Sequence, residues 1–228
     1  MTLTYDDTVN YGDILAVGDI HARYDLLELL LEKLRDTQAI VIFLGDMVDR
    51  GGQDVQVLSK IKELEENPGI DGLGNVFALM GNHESMLVDA VRGSPTDFIA
   101  WTQNGGNFEQ FDEFEPYIEW LDQLPIYMTI GETMFIHAGF FPGKDPAESI
   151  NQGQTESLLW MRSPFLEFGP KFEDWAPHLK RVIFGHTPEG PEPYEIPGGG
   201  ICVDTGAFAT DVLTVFNDTQ NTYFQVKL

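Results

Sequence analysis

Three short apolar runs in the first third of the chain each lead into a glycine followed by Asp or Asn. Residues 14–17 run into Gly18-Asp19-Ile20-His21, residues 40–44 into Gly45-Asp46-Met47-Val48-Asp49-Arg50-Gly51, and residues 76–80 into Gly81-Asn82-His83-Glu84. Runs this short and continuously apolar read as buried strands with the polar motif at the carboxyl end. Helical patterns lie between them. Leu26, Leu27, Leu30, Leu31 and Leu34 recur at helical spacing, with Lys33 and Arg35 suiting the helix C-terminus. Residues 55–66 repeat the pattern, and Asn67-Pro68-Gly69 ends it. Strand, motif and helix in succession make a layered α/β arrangement, which gathers ligands along one edge of a sheet.

The remainder changes style. Residues 94–124 read as helical and aromatic, interrupted at Asn104-Gly105-Gly106 and at Pro116. Residues 126–130 and 133–136 flank Gly131-Glu132, a hairpin signal. Further strand-like runs cover residues 181–184, 200–203, 211–216 and 222–226, so a second, mostly antiparallel sheet is expected against the first, within one domain of residues 1–228. The Pro/Gly-rich stretch 187–200 reads as a long surface loop.

Composition removes several classes of function. A chain of 228 residues with 43% hydrophobic content can build a sizeable core and is not a disordered type. Its 37 acidic residues against 13 basic ones give a formal net charge of −24, which repels nucleic-acid backbones and anionic lipid. Solubility, or adaptation to a salty environment, is the simplest use of such a surplus. The longest conspicuous apolar run, residues 39–44, is too short to span a bilayer, and the acidic stretch 1–7 does not read as a secretory signal. The one cysteine, Cys202, excludes an intrachain disulfide; it is expected buried in a strand, in a reducing, cytoplasmic setting.

Four of the five histidines fall at motifs: His21, His83, and the later His137-Ala138-Gly139 and Gly185-His186-Thr187-Pro188. Asp, Asn and His at strand ends are the donors a hard two-metal hydrolytic site needs. Asp19 and His21, two apart beyond a strand, suit two ligands on one face, although an Asp capping the next helix is the commoner use of such a residue. Gly45 to Gly51 is more specific, with two carboxylates and a guanidinium in one turn; a plain Asp–Arg ion pair is its alternative. Gly81-Asn82-His83-Glu84 adds an amide ligand beside a proton-transferring histidine, or else caps a helix, with Glu84 in its first turn.

In this order, the motifs resemble the signature set of the phosphoprotein phosphatase group of metallophosphoesterases. The resemblance runs over residues 13–206 and, with Leu158-Leu159-Trp160-Met161-Arg162 and Val203-Asp204-Thr205-Gly206-Ala207, is strongest to small bacterial and phage-type members, which include symmetrical diadenosine tetraphosphate hydrolases. It implies a calcineurin-like sandwich of two packed mixed β-sheets flanked by helices. It also implies two divalent ions, manganese by preference or else iron or zinc. Asp19, His21 and Asp46 would hold one; Asp46 would bridge to the second, held also by Asn82, His137 and His186. His83 would be the general acid, oriented by Asp49, and Arg50 with Arg162 would grip phosphate oxygens. The implied activity is hydrolysis of phosphomonoesters by a metal-activated hydroxide attacking in line, as a monomeric serine/threonine or dual-specificity protein phosphatase. The substrate is then a phosphorylated protein or a small phosphoester. One departure is Ala22, where the family commonly has glycine, and no counterpart of the eukaryotic C-terminal toxin-binding segment is visible.

General chemistry supports these roles. Two cations about 4 Å apart can acidify a water and clamp a phosphoryl group. A carboxylate-held histidine can protonate the leaving alkoxide, and arginine makes two-pronged phosphate contacts. Other features read as structural. Asp204-Thr205-Gly206 matches the aspartic-protease triplet but occurs once, so a turn is expected. His178 reads as a loop histidine, residues 101–106 as core packing or a substrate entrance, and Phe108, Phe111 and Phe114 as one helix face in the core. The rival activity is dinucleotide hydrolysis, which shares these motifs. A catalytically dead metal-binding scaffold would show a broken ligand or lack His83, and neither occurs.

Overall fold

A computed structural model describes residues 12–228. The N-terminal stretch read above as non-secretory, residues 1–7, lies outside them. Two five-stranded sheets form the centre. The first has the order β10-β9-β1-β2-β3, with β1 (Ile14–Val17), β2 (Ile40–Phe43), β3 (Val76–Ala78), β9 (Val212–Asn217) and β10 (Thr222–Lys227). The second runs β4-β5-β6-β8-β7, with β4 (Tyr127–Ile130), β5 (Thr133–Ile136), β6 (Arg181–Phe184), β7 (Tyr194–Ile196) and β8 (Gly200–Cys202).

In the first sheet β1, β2 and β3 are parallel, and α1 (Tyr24–Leu34) and α2 (Asp54–Glu66) make the crossovers that parallel pairing needs. The helix α1 forms because Leu26, Leu27, Leu30 and Leu34 share one buried face; each such side chain contributes about 1.5–3 kcal/mol on burial. Strand alternation divides the core. Ala16, Ile40, Ile42, Phe135, Ile183 and Ile201 form a layer joining the two sheets, while Leu15, Val17, Val41 and Phe43 face the helical side.

The second sheet is mixed, not mostly antiparallel. Strands β5, β6 and β8 are parallel, and only the edge strands β4 and β7 run against them. The β4–β5 hairpin turns at Gly131, whose φ of 56° is the left-handed conformation such a tight turn requires. Two runs expected in the second sheet, β9 and β10, instead extend the first through β1. The stretch 187–200 is not loop throughout, since it carries β7. Pro116 does not interrupt a helix; it is the second residue of α5 (Glu115–Asp122), where its missing N–H is not needed.

Around this frame lie α3 (Asn82–Arg92), α4 (Pro95–Gln103) and the short α6 (Pro146–Asn151), α7 (Thr155–Leu159), α8 (Phe165–Phe168) and α9 (Ala207–Thr210). Ser94 caps α4 with Asp97 as its reciprocal partner. Phe108, Phe111 and Phe114 sit on and just after a 3₁₀ turn, a geometry that suits their spacing of three; Phe114 is buried and Phe108 is exposed. Among the described residues no helix is long and apolar enough to cross a membrane.

Candidate metal centre and active site

Both sheets bring the carboxyl ends of their parallel strands to one place. Asp19 and His21 follow β1, Asp46 follows β2, and Asn82 and His83 open α3 after β3; His137 follows β5 and His186 follows β6. All of these side chains are buried. The loops are also tied to each other, with His21 N–H donating to Asp46 O at 2.9 Å and Ala22 N–H to Met47 O at 2.8 Å.

Asp46 is the centre. Its Oδ1 lies 3.4 Å from His137 Nε2, and its Oδ2 lies 3.6 Å from His21 Nε2 and 3.9 Å from His83 Nε2. Donor atoms of Asp46, His137 and His186 converge within 4.8 Å of one another, and so do those of His21, Asp46 and His83. Asn82 Oδ1 stands 2.9 Å from His137 Nε2. Asp19 is turned toward the other end of the cluster and accepts the His186 N–H at 3.0 Å. Gly185 makes this possible, because a Cβ there would fall on Asp19 Oδ1.

The donor set fits divalent cations. His137 Nδ1 donates to the Leu44 carbonyl at 2.9 Å, which leaves a lone pair on Nε2 facing only the acceptors Asn82 Oδ1 and Asp46 Oδ1. His21 repeats this, with Nδ1 donating to Val48 O at 2.9 Å. His186 Nε2 is buried without a hydrogen-bond partner. On the His137–His186 side lone pairs converge with no proton donor among them, which suits a cation; on His21 the Nε2 lone pair takes an Arg50 N–H instead, and backbone carbonyls on Nδ1 of His137 and His21 fix the tautomer a ligand needs.

Beside this cluster, His83 Nδ1 donates to Asp49 Oδ2 at 2.6 Å, and Trp101 Nε1 donates to Asp49 Oδ1 at 2.9 Å. The exposed Arg50 donates through its two terminal nitrogens to His21 Nε2 at 2.5 Å and His83 Nε2 at 2.9 Å. Its guanidinium lies 4.8 Å from the ring centre of Phe208, which also packs edge-on against His21. Arg162 is exposed and has no side-chain hydrogen bond or ion pair among the described residues. It joins the cluster only through its charge, which disfavours protonation of His137 and His186.

Charge states follow from burial and neighbours. Burial pushes His21 and His186 down to about 3, so both are neutral near pH 7 and available as ligands. For His83 burial works the same way, but Asp46 and Asp49 outweigh it and raise its pKa. Burial alone would raise Asp46, yet His137, His83 and His21 pull it well below the usual carboxylate range. Glu84 is pushed up to about 8 by burial and by Asp46. Its hydrogen bonds oppose that push: the carboxylate accepts from Asp46 N and Met47 N at 2.7 Å, Gly81 N at 3.0 Å and Val48 N at 3.2 Å. Four N–H donors on two oxygens suit the ionised form, which makes Glu84 the clasp of the Asp46 loop.

Sequence reasoning placed Glu84 only in the first turn of a helix, and it read Asp204 as a turn residue and Trp101 as packing or an entrance. Asp204 does accept the Gly206 N–H at 2.8 Å, but it is also buried beside Asp19, whose pKa is raised by burial first and then by the Asp204 charge. His178 is exposed, as expected of a loop residue. Cys202 is buried in β8.

The family model for calcineurin-like phosphoesterases matches residues 12–217. A symmetrical bis(5'-nucleosyl)-tetraphosphatase of Janthinobacterium sp. (strain Marseille) is 25% identical over 176 residues, covering 76% of this chain and 56% of that protein. A PP2A-like serine/threonine-protein phosphatase of Candida albicans (strain SC5314 / ATCC MYA-2876) is 32% identical over 139 residues, 60% of this chain and 31% of that one. The chain thus spans about half or less of the length of these curated relatives. Among solved structures, a protein serine/threonine phosphatase from Saccharomyces cerevisiae with similarity to human phosphatase PP5 superposes with a TM-score of 0.67. At 19% identity, over all of this chain and 83% of that one, it shares the fold. The chain belongs to the calcineurin-like phosphoesterases, a family of binuclear metal-dependent hydrolases.

Proposed function

We propose that this protein hydrolyses phosphomonoesters as a serine/threonine (or dual-specificity) protein phosphatase. The observation that carries the reading is Asp46, whose two oxygens face two separate imidazole groups beside the Asp49–His83 pair. Asp19, His21 and Asp46 would hold one divalent ion, and Asp46, Asn82, His137 and His186 the other. Oxygen donors mixed with imidazole favour manganese, with iron or zinc as substitutes. When bound, such a pair supplies an acidified water and a clamp on the phosphoryl oxygens.

The chain's own residues do the rest. Arg50, now donating to two imidazoles, turns its fork to the phosphate oxygens, and Arg162 approaches with no competing partner. Engagement of Arg50 by phosphate frees His83 Nε2 to carry a proton. As the P–O bond breaks, that proton passes to the leaving oxygen, while Asp49 holds Nδ1 and stabilises the imidazolium beforehand.

Preference for a monoester over a dinucleoside polyphosphate rests on charge. A cavity of about 480 Å³ is linked to the site through Trp160, and its lining also includes Ser85, Asp89, Asp97, Asn104 and Glu156, with no lysine or arginine. Trp160 also packs edge-on against His186 at 5.8 Å. Further phosphates of a polyphosphate chain would meet three carboxylates there. The direct test compares kcat/KM for a phosphoserine peptide and for diadenosine tetraphosphate with manganese present. A higher value for the peptide is expected; a higher value for the dinucleotide assigns the protein to the second activity seen among its relatives.

A further inference from the structure

The stretch from Trp101 to Asn107 makes two direct contacts with the loop that carries Asp49 and Arg50, and a third through Asp54 at the start of α2. Trp101 is fully buried, and its indole N–H donates to Asp49 Oδ1 at 2.9 Å. Gly105 O accepts the Arg50 N–H at 3.0 Å. The Asn107 amide donates to Asp54 Oδ2 at 3.3 Å, and Asp54 Oδ1 accepts the Asp49 N–H at 2.6 Å. Asp49 therefore has a different donor on each carboxylate oxygen, Trp101 on Oδ1 and His83 on Oδ2.

A carboxylate held on one oxygen alone can swing, because its terminal torsion is broad. A donor on each oxygen fixes the carboxylate plane. The indole cannot drift either. Phe98, Phe111 and Phe114 surround it at 5.8, 5.4 and 6.0 Å, and Gly106 lies so close to the indole that a Cβ there would enter the ring.

We infer that Trp101 is a positioning residue for phosphoryl transfer: its N–H pins the Asp49 carboxylate so that His83 Nε2 points at the leaving oxygen. The inference rests on the reading of His83 as proton donor. In that step a hydroxide oxygen bonds to phosphorus as the P–O bond to the leaving oxygen breaks; that bond's electron pair stays on the leaving oxygen, which takes the Nε2 proton, leaving a neutral imidazole still bonded to Asp49. A p-nitrophenolate leaves without needing the proton, whereas the alkoxide of serine requires it.

Leaving groups therefore separate positioning from mere packing. Trp101→Phe keeps an aromatic ring and deletes the donor. Its kcat for a phosphoserine peptide, relative to its kcat for p-nitrophenyl phosphate, should fall by about tenfold or more, since misplacing a general acid forfeits part of its 10²–10⁴-fold contribution. KM for the peptide should stay within about twofold, since binding and protonation are separate interactions. In the metal-free protein the His83 Nδ1 proton resonance should shift in the variant, and manganese content should match wild type. Where Trp101→Phe does not fold, 3-benzothienylalanine at position 101 keeps the shape and lacks the N–H. His83→Asn is the control. If it loses both substrates equally, the proton-donor reading itself fails. If it is selective and the Trp101 variant is not, the positioning role is overturned while the reading of His83 stands.

Discussion

Asp46 divides its two oxygens between two imidazole groups, and the loops that build the site are strained. His21, Ala22, Asp46, Asp49, Arg50 and His186 all have φ between 45° and 70°. Such backbone persists only where surrounding contacts over-determine it. Glu84 is the main such contact, so Glu84→Ala should cost about 3–5 kcal/mol by orphaning buried donors, and should weaken manganese binding. Denaturant unfolding of the metal-free variant checks this; a loss under 1 kcal/mol would remove Glu84 from that role. Ala22, at φ 52° and fully buried, pays about 1–2 kcal/mol for its left-handed backbone and gains about 0.8 kcal/mol from its methyl. Ala22→Gly should therefore shift stability by no more than about 1 kcal/mol and leave metal stoichiometry unchanged, as read from unfolding and metal titration. The candidate ligands were legible because their residue types stand out after apolar runs. Glu84, Trp101 and Asp204 were not, since a helix-turn Glu, a core Trp and a turn Asp look ordinary until their partners are known.

At the scale of elements, the site depends on five parallel strands from two sheets ending at the same edge. Strands β1, β2 and β3 were visible in sequence because short apolar runs met glycine motifs. Partner choice was not visible: β9 joins β1 by pairing Leu15 with Asn217, and nothing local in either segment encodes that. The strand β7 was hidden because it is three residues long between Pro193 and Pro197, which suits an edge with pairing on one side only. Close packing between loops is equally tight. Gly185→Ala, by pressing on Asp19, should weaken metal binding by about 10–100-fold, the usual effect of disturbing a ligand's support. The metal-free variant should unfold at close to the wild-type temperature. A wild-type affinity in calorimetric titration would show that Asp19 is not held by this contact.

For the whole molecule, the buried charges make stability depend on pH and metal together. Between pH 6.5 and 8 the folded metal-free protein retains a proton that the unfolded chain has lost, because Asp204 is pushed up to about 7, chiefly by burial. His83, raised by Asp46 and Asp49 against burial, acts in the same direction. The neutral His21 and His186, held near 3, gain nothing further above pH 6.5. Stability of the metal-free protein should therefore fall as pH rises from 6.5 to 8, and divalent ions should reverse the trend by favouring the ionised carboxylates. Thermal melts with chelator and with manganese show which sign holds. The most direct test of the two-ion, one-acid site is a manganese titration of metal-free wild type and of His83→Asn, followed by calorimetry and by turnover of a phosphoserine peptide. Both proteins are expected to take up two ions per chain, with turnover rising only in wild type. Turnover without metal, a single ion per wild-type chain, or loss of an ion in His83→Asn would contradict it.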